Sequence, residues 1–195
     1  MFDNKLMSGK KGLVMGVAND RSISWAIAKK AYEYGAELAF TYQGDALGKR
    51  VIPLGESVRS NIILPCEVSE ASSIKNVFEK INSEWGKLDF VIHGIAFSDK
   101  EELKGQYIDT TRSNFTNTME ISVYSFTEVS KFAVPLMNEG GSLLTLTYYG
   151  SERVMPHYNV MGVAKAALEA SVRYLAVDLG SRNISHKIIW IKKVW

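Results

Sequence analysis

Apolar residues along the chain alternate between short continuous runs and stripes at helical spacing. Leu13-Val14-Met15-Gly16-Val17-Ala18 is an apolar run ending in small residues, the pattern of a buried strand. Asn19-Asp20-Arg21-Ser22 is a turn rich in capping side chains. Ile23, Ala26, Ile27, Ala31 and Tyr34 then share one helical face, and Gly35 stops it. Further strands are predicted at residues 38–42, 61–64, 88–94 and 142–147. Residues 45–57 read as a helix weakened by Gly48, Pro53 and Gly55. Ser69-Glu70-Ala71-Ser72 opens a helix with Ile74, Val77, Phe78 and Ile81 on its face and Gly86 beyond its end. Residues 98–106 are polar and predict a loop, and residues 110–137 carry a long helical pattern, kinked or broken. Asn138-Glu139-Gly140-Gly141 is a turn, residues 158–180 are the next helix, and residues 188–191 have the composition of a sixth strand.

Strands alternating with helices imply right-handed βαβ units and a parallel sheet covered on both faces. The predicted fold class is therefore α/β: a doubly wound, Rossmann-like parallel sheet, in one domain over residues 1–195. Ligands of such sheets bind outside the carboxyl ends of the strands. Gly16, Tyr42-Gln43, Glu67-Val68, Gly94-Ile95 and Tyr148 all fall at those ends, so five strand ends converge on one rim.

Composition narrows the function. A formal charge of +2, evenly spread, gives no nucleic-acid footprint. The one cysteine, Cys66, excludes an intramolecular disulfide and argues against a cysteine-based metal site; it reads as a small buried residue. No apolar run reaches the length of a membrane span, and residues 1–5 lack the apolar core of a signal peptide. The expectation is a cytoplasmic protein without membrane, nucleic-acid or metal partners.

Two groups of residues invite chemistry. Gly16 permits a tight turn and close approach of a diphosphate after the first strand, and Ser22 and Ile23 open the following helix, whose free N–H groups favour phosphate. The usual glycine fingerprint is incomplete, and any βα turn favours Gly and Ser. Gln43 stands where an acidic residue often meets the adenosine ribose; with no arginine directly after it, NADH is favoured over NADPH. Tyr158 and Lys165 lie seven residues apart, about two helical turns, and project from one face. An ammonium beside a phenol lowers the phenol pKa and makes a workable acid. Tyr148 stands ten residues earlier, at a strand end. Tyr and Lys at helical spacing are also common on amphipathic surfaces, so the spacing alone does not identify a site. His93 and His157 read as packing and turn residues rather than as catalytic groups.

Together these residues resemble the enoyl-acyl-carrier-protein reductases of bacterial fatty-acid synthesis, within the short-chain dehydrogenase/reductase superfamily. The similarity runs from about Lys5 to Asn183. It rests on Gly16-Val17-Ala18-Asn19 with Ser22-Ile23, on Thr41-Tyr42-Gln43, and on Leu143-Leu144-Thr145-Leu146-Thr147-Tyr148. The most specific segment is Tyr158-Asn159-Val160-Met161-Gly162-Val163-Ala164-Lys165. The two-turn Tyr–Lys spacing with a further Tyr at the strand end distinguishes this branch from most of the superfamily. The resemblance implies that Gly16, Ser22, Ile23, Gln43, Val68 and Ile95 contact NADH, and that Ser98 touches substrate. It implies that Tyr148 and Tyr158 are the active-site tyrosines and that Lys165 holds the nicotinamide ribose. Hydride would pass to the β-carbon of a trans-2-enoyl thioester carried on acyl carrier protein. Glu67 stands where the family usually has Asp, a longer acid toward the adenine, and Gly94 replaces a small polar residue.

After Asn183-Ile184 the resemblance stops. The family continues with a Gly-Pro loop, a substrate-covering helix and a seventh strand; here Ser185-His186-Lys187-Ile188-Ile189-Trp190-Ile191-Lys192-Lys193-Val194-Trp195 follows. The change of character reads as a frameshifted or prematurely terminated product. On that reading the site lacks its cover, the sheet keeps an open edge, the family's homotetramer is in doubt, and reduced stability with little or no reductase activity is expected. The alternative function is an inactive NADH-binding remnant.

Overall fold

The computed structural model describes residues 6–137 and 140–191. Six strands form one parallel sheet: β1 (Lys11–Met15), β2 (Glu37–Tyr42), β3 (Ile62–Pro65), β4 (Phe90–His93), β5 (Gly141–Tyr148) and β6 (Ile184–Ile191). Their order is β3-β2-β1-β4-β5-β6, and every neighbouring pair is parallel. The chain builds outward from β1 to β3, then crosses to the other side of β1 and builds outward again. The reversal falls between β1 and β4, where a doubly wound sheet leaves a crevice for ligand.

Helices cover both faces because the strands are apolar on both. Leu13 and Met15 of β1 enter one core with Ile74, Val77 and Phe78 of α3 (Ala71–Trp85), Phe126 of α5 (Ser125–Ala133) and Leu168 of α6 (Asn159–Leu179). Val14, between them in sequence, enters the other core with Trp25 and Ala28 of α1 (Ile23–Glu33) and Val51 of α2 (Gly44–Ser57). This is the period-two alternation of a strand buried on both sides.

The predicted strands and helices are present among the described residues, with three differences of physical interest. Residues 44–57 are one continuous helix despite Gly48, Pro53 and Gly55. A Cβ on Gly48 would press on the Tyr42 ring, and one on Gly55 on Ile63 and Phe40, so both glycines let α2 lie close on β2 and β3. The long helical pattern is broken into α4 (Arg112–Met119), a π-helical turn (Glu120–Tyr124), α5 and a final 3-10 turn (Val134–Leu136). The sixth strand is longer than predicted and runs in register with β5 from Ile184 opposite Gly141 to Ile191 opposite Tyr148. The predicted turn at Asn138-Glu139, the N-terminal residues 1–5 and the tail from Lys192 to Trp195 lie outside the described residues.

Candidate active site

A cleft of about 550 Å³ opens at the β1–β4 switch. Gly16 forms its floor at φ +82°, and a Cβ there would run into the Gly94 carbonyl. The two strands meet at this point through the Gly94 N–H, which donates to the Met15 carbonyl at 3.1 Å. A Cβ on Gly94 would strike the Ser24 hydroxyl of α1. Gly at both positions leaves bare backbone where a ligand must approach closely.

Gly16, Gln43, Glu67, Val68 and Ile95 line the cleft. Ser22 and Ile23 do not line it; they stand at the adjoining helix start. The Ser22 hydroxyl accepts from the Ala18 and Asn19 N–H groups at 2.9 and 3.0 Å, which tightens the Gly16 loop onto α1. No side chain caps α1, so its first N–H groups stay available to an anion. Gln43 and Glu67 act as a pair: the Gln43 amide donates to the Glu67 carboxylate at 2.6 Å. Cys66 lies on the same wall, where burial pushes its thiol up to about 11 and keeps it unreactive. The structure adds Leu47, Phe97 and Asn117 to the lining. They project from α2, the loop after β4 and α4, and no motif marks them. The π turn reaches this wall through Ser122, whose hydroxyl accepts from the Phe97 N–H and donates to the Phe97 carbonyl, both at 3.0 Å.

Ser98 is half-buried and does not line the cleft. Its hydroxyl bonds with Asn114 and accepts from Thr118 at 2.9 Å, so it clamps the loop after β4 to α4. The side chain nearest in sequence that does line the cleft is Phe97.

Tyr148, Tyr158 and Lys165 come together where β5 meets α6. The two phenol rings pack edge to face with centroids 4.9 Å apart. Tyr158 stands at the N-cap position of α6 without a side-chain capping bond, and its ring rests on Gly150, where any Cβ would overlap it. Lys165 is only 6% exposed and donates to the Leu146 carbonyl at 2.8 Å. Burial pulls its ammonium down to about 8, while Glu169, one turn along α6, pushes it back up.

One expectation about this group is corrected. Tyr158 is not made more acidic by Lys165: burial, reinforced by Tyr148, raises its pKa above the usual phenol value. Desolvation penalises the phenolate, and the lysine head is anchored on Leu146 rather than on the phenol. Tyr158 is therefore a neutral hydrogen-bond donor. His93 is fully buried, with its ring nitrogens 2.9 Å from Ser125 and 3.4 Å from Thr145. Burial holds it neutral, down to about 3, in agreement with a packing role. His157 is exposed, in a turn at φ 57°.

Residues 16–190 match the family model described as Enoyl-(Acyl carrier protein) reductase. The chain belongs to this enoyl-acyl-carrier-protein reductase family. Among its relatives, an enoyl-[acyl-carrier-protein] reductase [NADH] of Rhizobium meliloti is 66% identical over 181 residues, covering 93% of this chain and 68% of that protein. The corresponding protein of Rickettsia felis is 56% identical, covering 92% of this chain and 69% of its own length. The Anaplasma phagocytophilum reductase solved in complex with NAD superposes with TM-score 0.94 at 56% identity, covering 97% of this chain and 72% of that one. A Bacillus cereus reductase solved with NADP+ superposes at TM-score 0.93 with 45% identity, covering 97% and 76%. Members of the family with one backbone are thus solved with either nicotinamide cofactor. Among the described residues no helix is long and apolar enough to cross a membrane, and no group of His, Cys, Asp and Glu is placed to hold a metal ion.

Proposed function

We propose that this chain is an NADH-dependent enoyl-acyl-carrier-protein reductase of fatty-acid biosynthesis, working in the cytoplasm on a trans-2-enoyl thioester presented by acyl carrier protein. The observation that supports this most directly is the arrangement of one rim. The glycine-floored cleft at the end of β4 and the β5–α6 corner that holds Tyr148, Tyr158 and Lys165 lie at the carboxyl ends of two neighbouring parallel strands, although the three side chains do not line the cleft itself.

The cleft fits a dinucleotide. The bare backbone at Gly16 and the uncapped start of α1 suit a diphosphate. Gln43 and Glu67 offer a donor and acceptors to ribose hydroxyls. NADH supplies the hydride that reaches the β-carbon of the enoyl thioester. As negative charge develops on the thioester oxygen, the Tyr158 hydroxyl donates a hydrogen bond to it, an interaction strongest in the transition state. Lys165 has three donors and uses one on Leu146, which leaves two for hydroxyls of the nicotinamide ribose. Ser98 serves the substrate side by holding the loop after β4 against α4, with Phe97 facing the cleft.

Glu67 also supports the cofactor choice. A fixed carboxylate beside Gln43 repels a ribose 2′-phosphate. With crotonyl thioester, the purified chain is expected to turn over with NADH and much more slowly with NADPH, and Glu67→Ala is expected to narrow that preference. Equal use of both cofactors by the parent chain would overturn the role of Glu67. Absence of NADH binding would overturn the functional proposal itself.

Self-association belongs to the proposal. Phe115 of α4, Tyr124 of the π turn, and Tyr174 and Val177 of α6 are exposed apolar side chains, the last two at 75% and 81%. A groove between α4, the π turn and Ser171 of α6 runs beside them. A second copy of the chain is expected to cover this face. Sedimentation velocity should show an oligomer that Tyr174→Glu shifts toward monomer; a monomeric parent chain rejects the assignment.

A further inference from the structure

On β5, two consecutive residues each hold one charged head of α6. The Leu146 carbonyl accepts from the Lys165 ammonium at 2.8 Å, and the Thr147 hydroxyl donates to the Glu169 carboxylate at 2.6 Å. Thr147 is fully buried and Glu169 half-buried. Lys165 and Glu169 lie four residues apart, one turn along the same helical face. Each head bonds to the strand rather than to the other, so the separation of the two charges is set by the register of α6 on β5. The short bond to a buried hydroxyl gives the carboxylate one fixed place.

We infer that Thr147 and Glu169 are positioning residues for Lys165: Thr147 fixes the Glu169 carboxylate, and that carboxylate keeps the buried Lys165 head an ammonium aimed at the cofactor ribose. The inference rests on the reductase proposal for the role of Lys165, and the need for a partner is physical. A lysine this deeply buried loses its proton readily, because desolvation penalises the charged form. The other titratable groups around it do not oppose that loss. His93, from β4, is held neutral and, as a cation, would repel the ammonium. Tyr158, at the start of α6, stays a protonated phenol, and Tyr148 packs against it from the end of β5. Among the described residues Glu169 is the carboxylate whose charge acts on Lys165. A neutral amine would still form hydrogen bonds, but it would give up the positive charge held beside the cofactor and the enolate oxygen.

The sign of the effect follows. With Glu169 in place the ammonium persists up to about pH 8 and is lost above it. Without the carboxylate the loss begins at lower pH. The test is the pH dependence of NADH affinity and of kcat, from pH 6 to 9.5, for the parent chain, Glu169→Gln, Thr147→Val and Thr147→Ser. Glu169→Gln should move the alkaline decline of both quantities about one pH unit lower, the scale of a nearby opposite charge. Thr147→Val should move it the same way by less, and Thr147→Ser, which keeps the hydroxyl, should restore the parent profile. The profile is read rather than the absolute rate, because a merely structural defect lowers activity at every pH without displacing the midpoint. If Glu169→Gln does not fold, the Thr147 pair carries the test. Midpoints that stay in place in the folded variants overturn the inference. A parent chain that binds no NADH at any pH overturns instead the functional proposal on which it rests.

Discussion

Tyr158→Phe is expected to lower kcat by roughly one to three orders of magnitude while leaving NADH affinity and thermal stability close to those of the parent chain. The magnitude is that of losing one donor aimed at charge that appears in the transition state. The stability expectation comes from packing. The ring lies edge-on to Tyr148 at 4.9 Å and on the bare backbone of Gly150, and a phenylalanine ring occupies the same space. Burial raises the Tyr158 pKa above the usual phenol value, so the group remains a donor throughout the neutral and mildly alkaline range. Any alkaline decline of the parent enzyme should therefore follow Lys165, near 8, and not the tyrosine. Steady-state rates with a crotonyl thioester, an NADH titration and a melting curve make the comparison; an unaltered kcat would remove Tyr158 from the chemistry.

Gly16→Val is expected to abolish NADH binding and to destabilise the chain as well. Two penalties combine. At φ +82° an L-residue carries a conformational cost of about 1–2 kcal/mol, and a β-branched one more. The new Cβ would also overlap the Gly94 carbonyl, where β1 and β4 are joined by the bond from the Gly94 N–H to the Met15 carbonyl. Relief requires the two strands to separate at the crevice that must accept the diphosphate. Gly105→Ala is the control, because a Cβ there meets nothing within 4 Å. A lowered melting temperature together with loss of NADH binding in Gly16→Val, and neither in Gly105→Ala, is the expected pattern. Retained NADH affinity in Gly16→Val would show that the cofactor does not lie over this turn.

Much of the molecule is legible from pattern because its strands are apolar on both faces and its helices on one. That contrast marks the alternation of elements and hence the parallel sheet with its ligand rim. Less is legible where a residue serves packing against its own local propensity. Gly48 and Gly55 weigh against α2 as helix formers, yet they let α2 approach Tyr42, Phe40 and Ile63. The break in the long helix at Glu120–Tyr124 has no Pro or Gly to announce it; Ser122 instead bonds both the N–H and the carbonyl of Phe97 across the cleft wall. Ser98 sits where the family resemblance implies a substrate contact, and the structure directs its hydroxyl to Asn114 and Thr118.

The sequence by itself determined the α/β class and placed Gly16, Gln43, Glu67, Val68 and Ile95 at strand ends that line the cleft; these follow from periodicity, a local property of the chain. Helical spacing singled out Tyr158 and Lys165 as candidates, and the family resemblance, not the spacing, implied a chemical role for them and for Tyr148. Only the tertiary structure decided how those residues behave. Helical spacing brings Tyr158 and Lys165 to one face but does not say what each head meets. Packing of α6 on β5 puts the lysine on the Leu146 carbonyl, the phenol against Tyr148, and Glu169 on Thr147. The expectation of an acidified Tyr158 gives way to a neutral donor for this reason. A pKa depends on burial and on charges brought in from distant parts of the chain, and neither is a property of spacing.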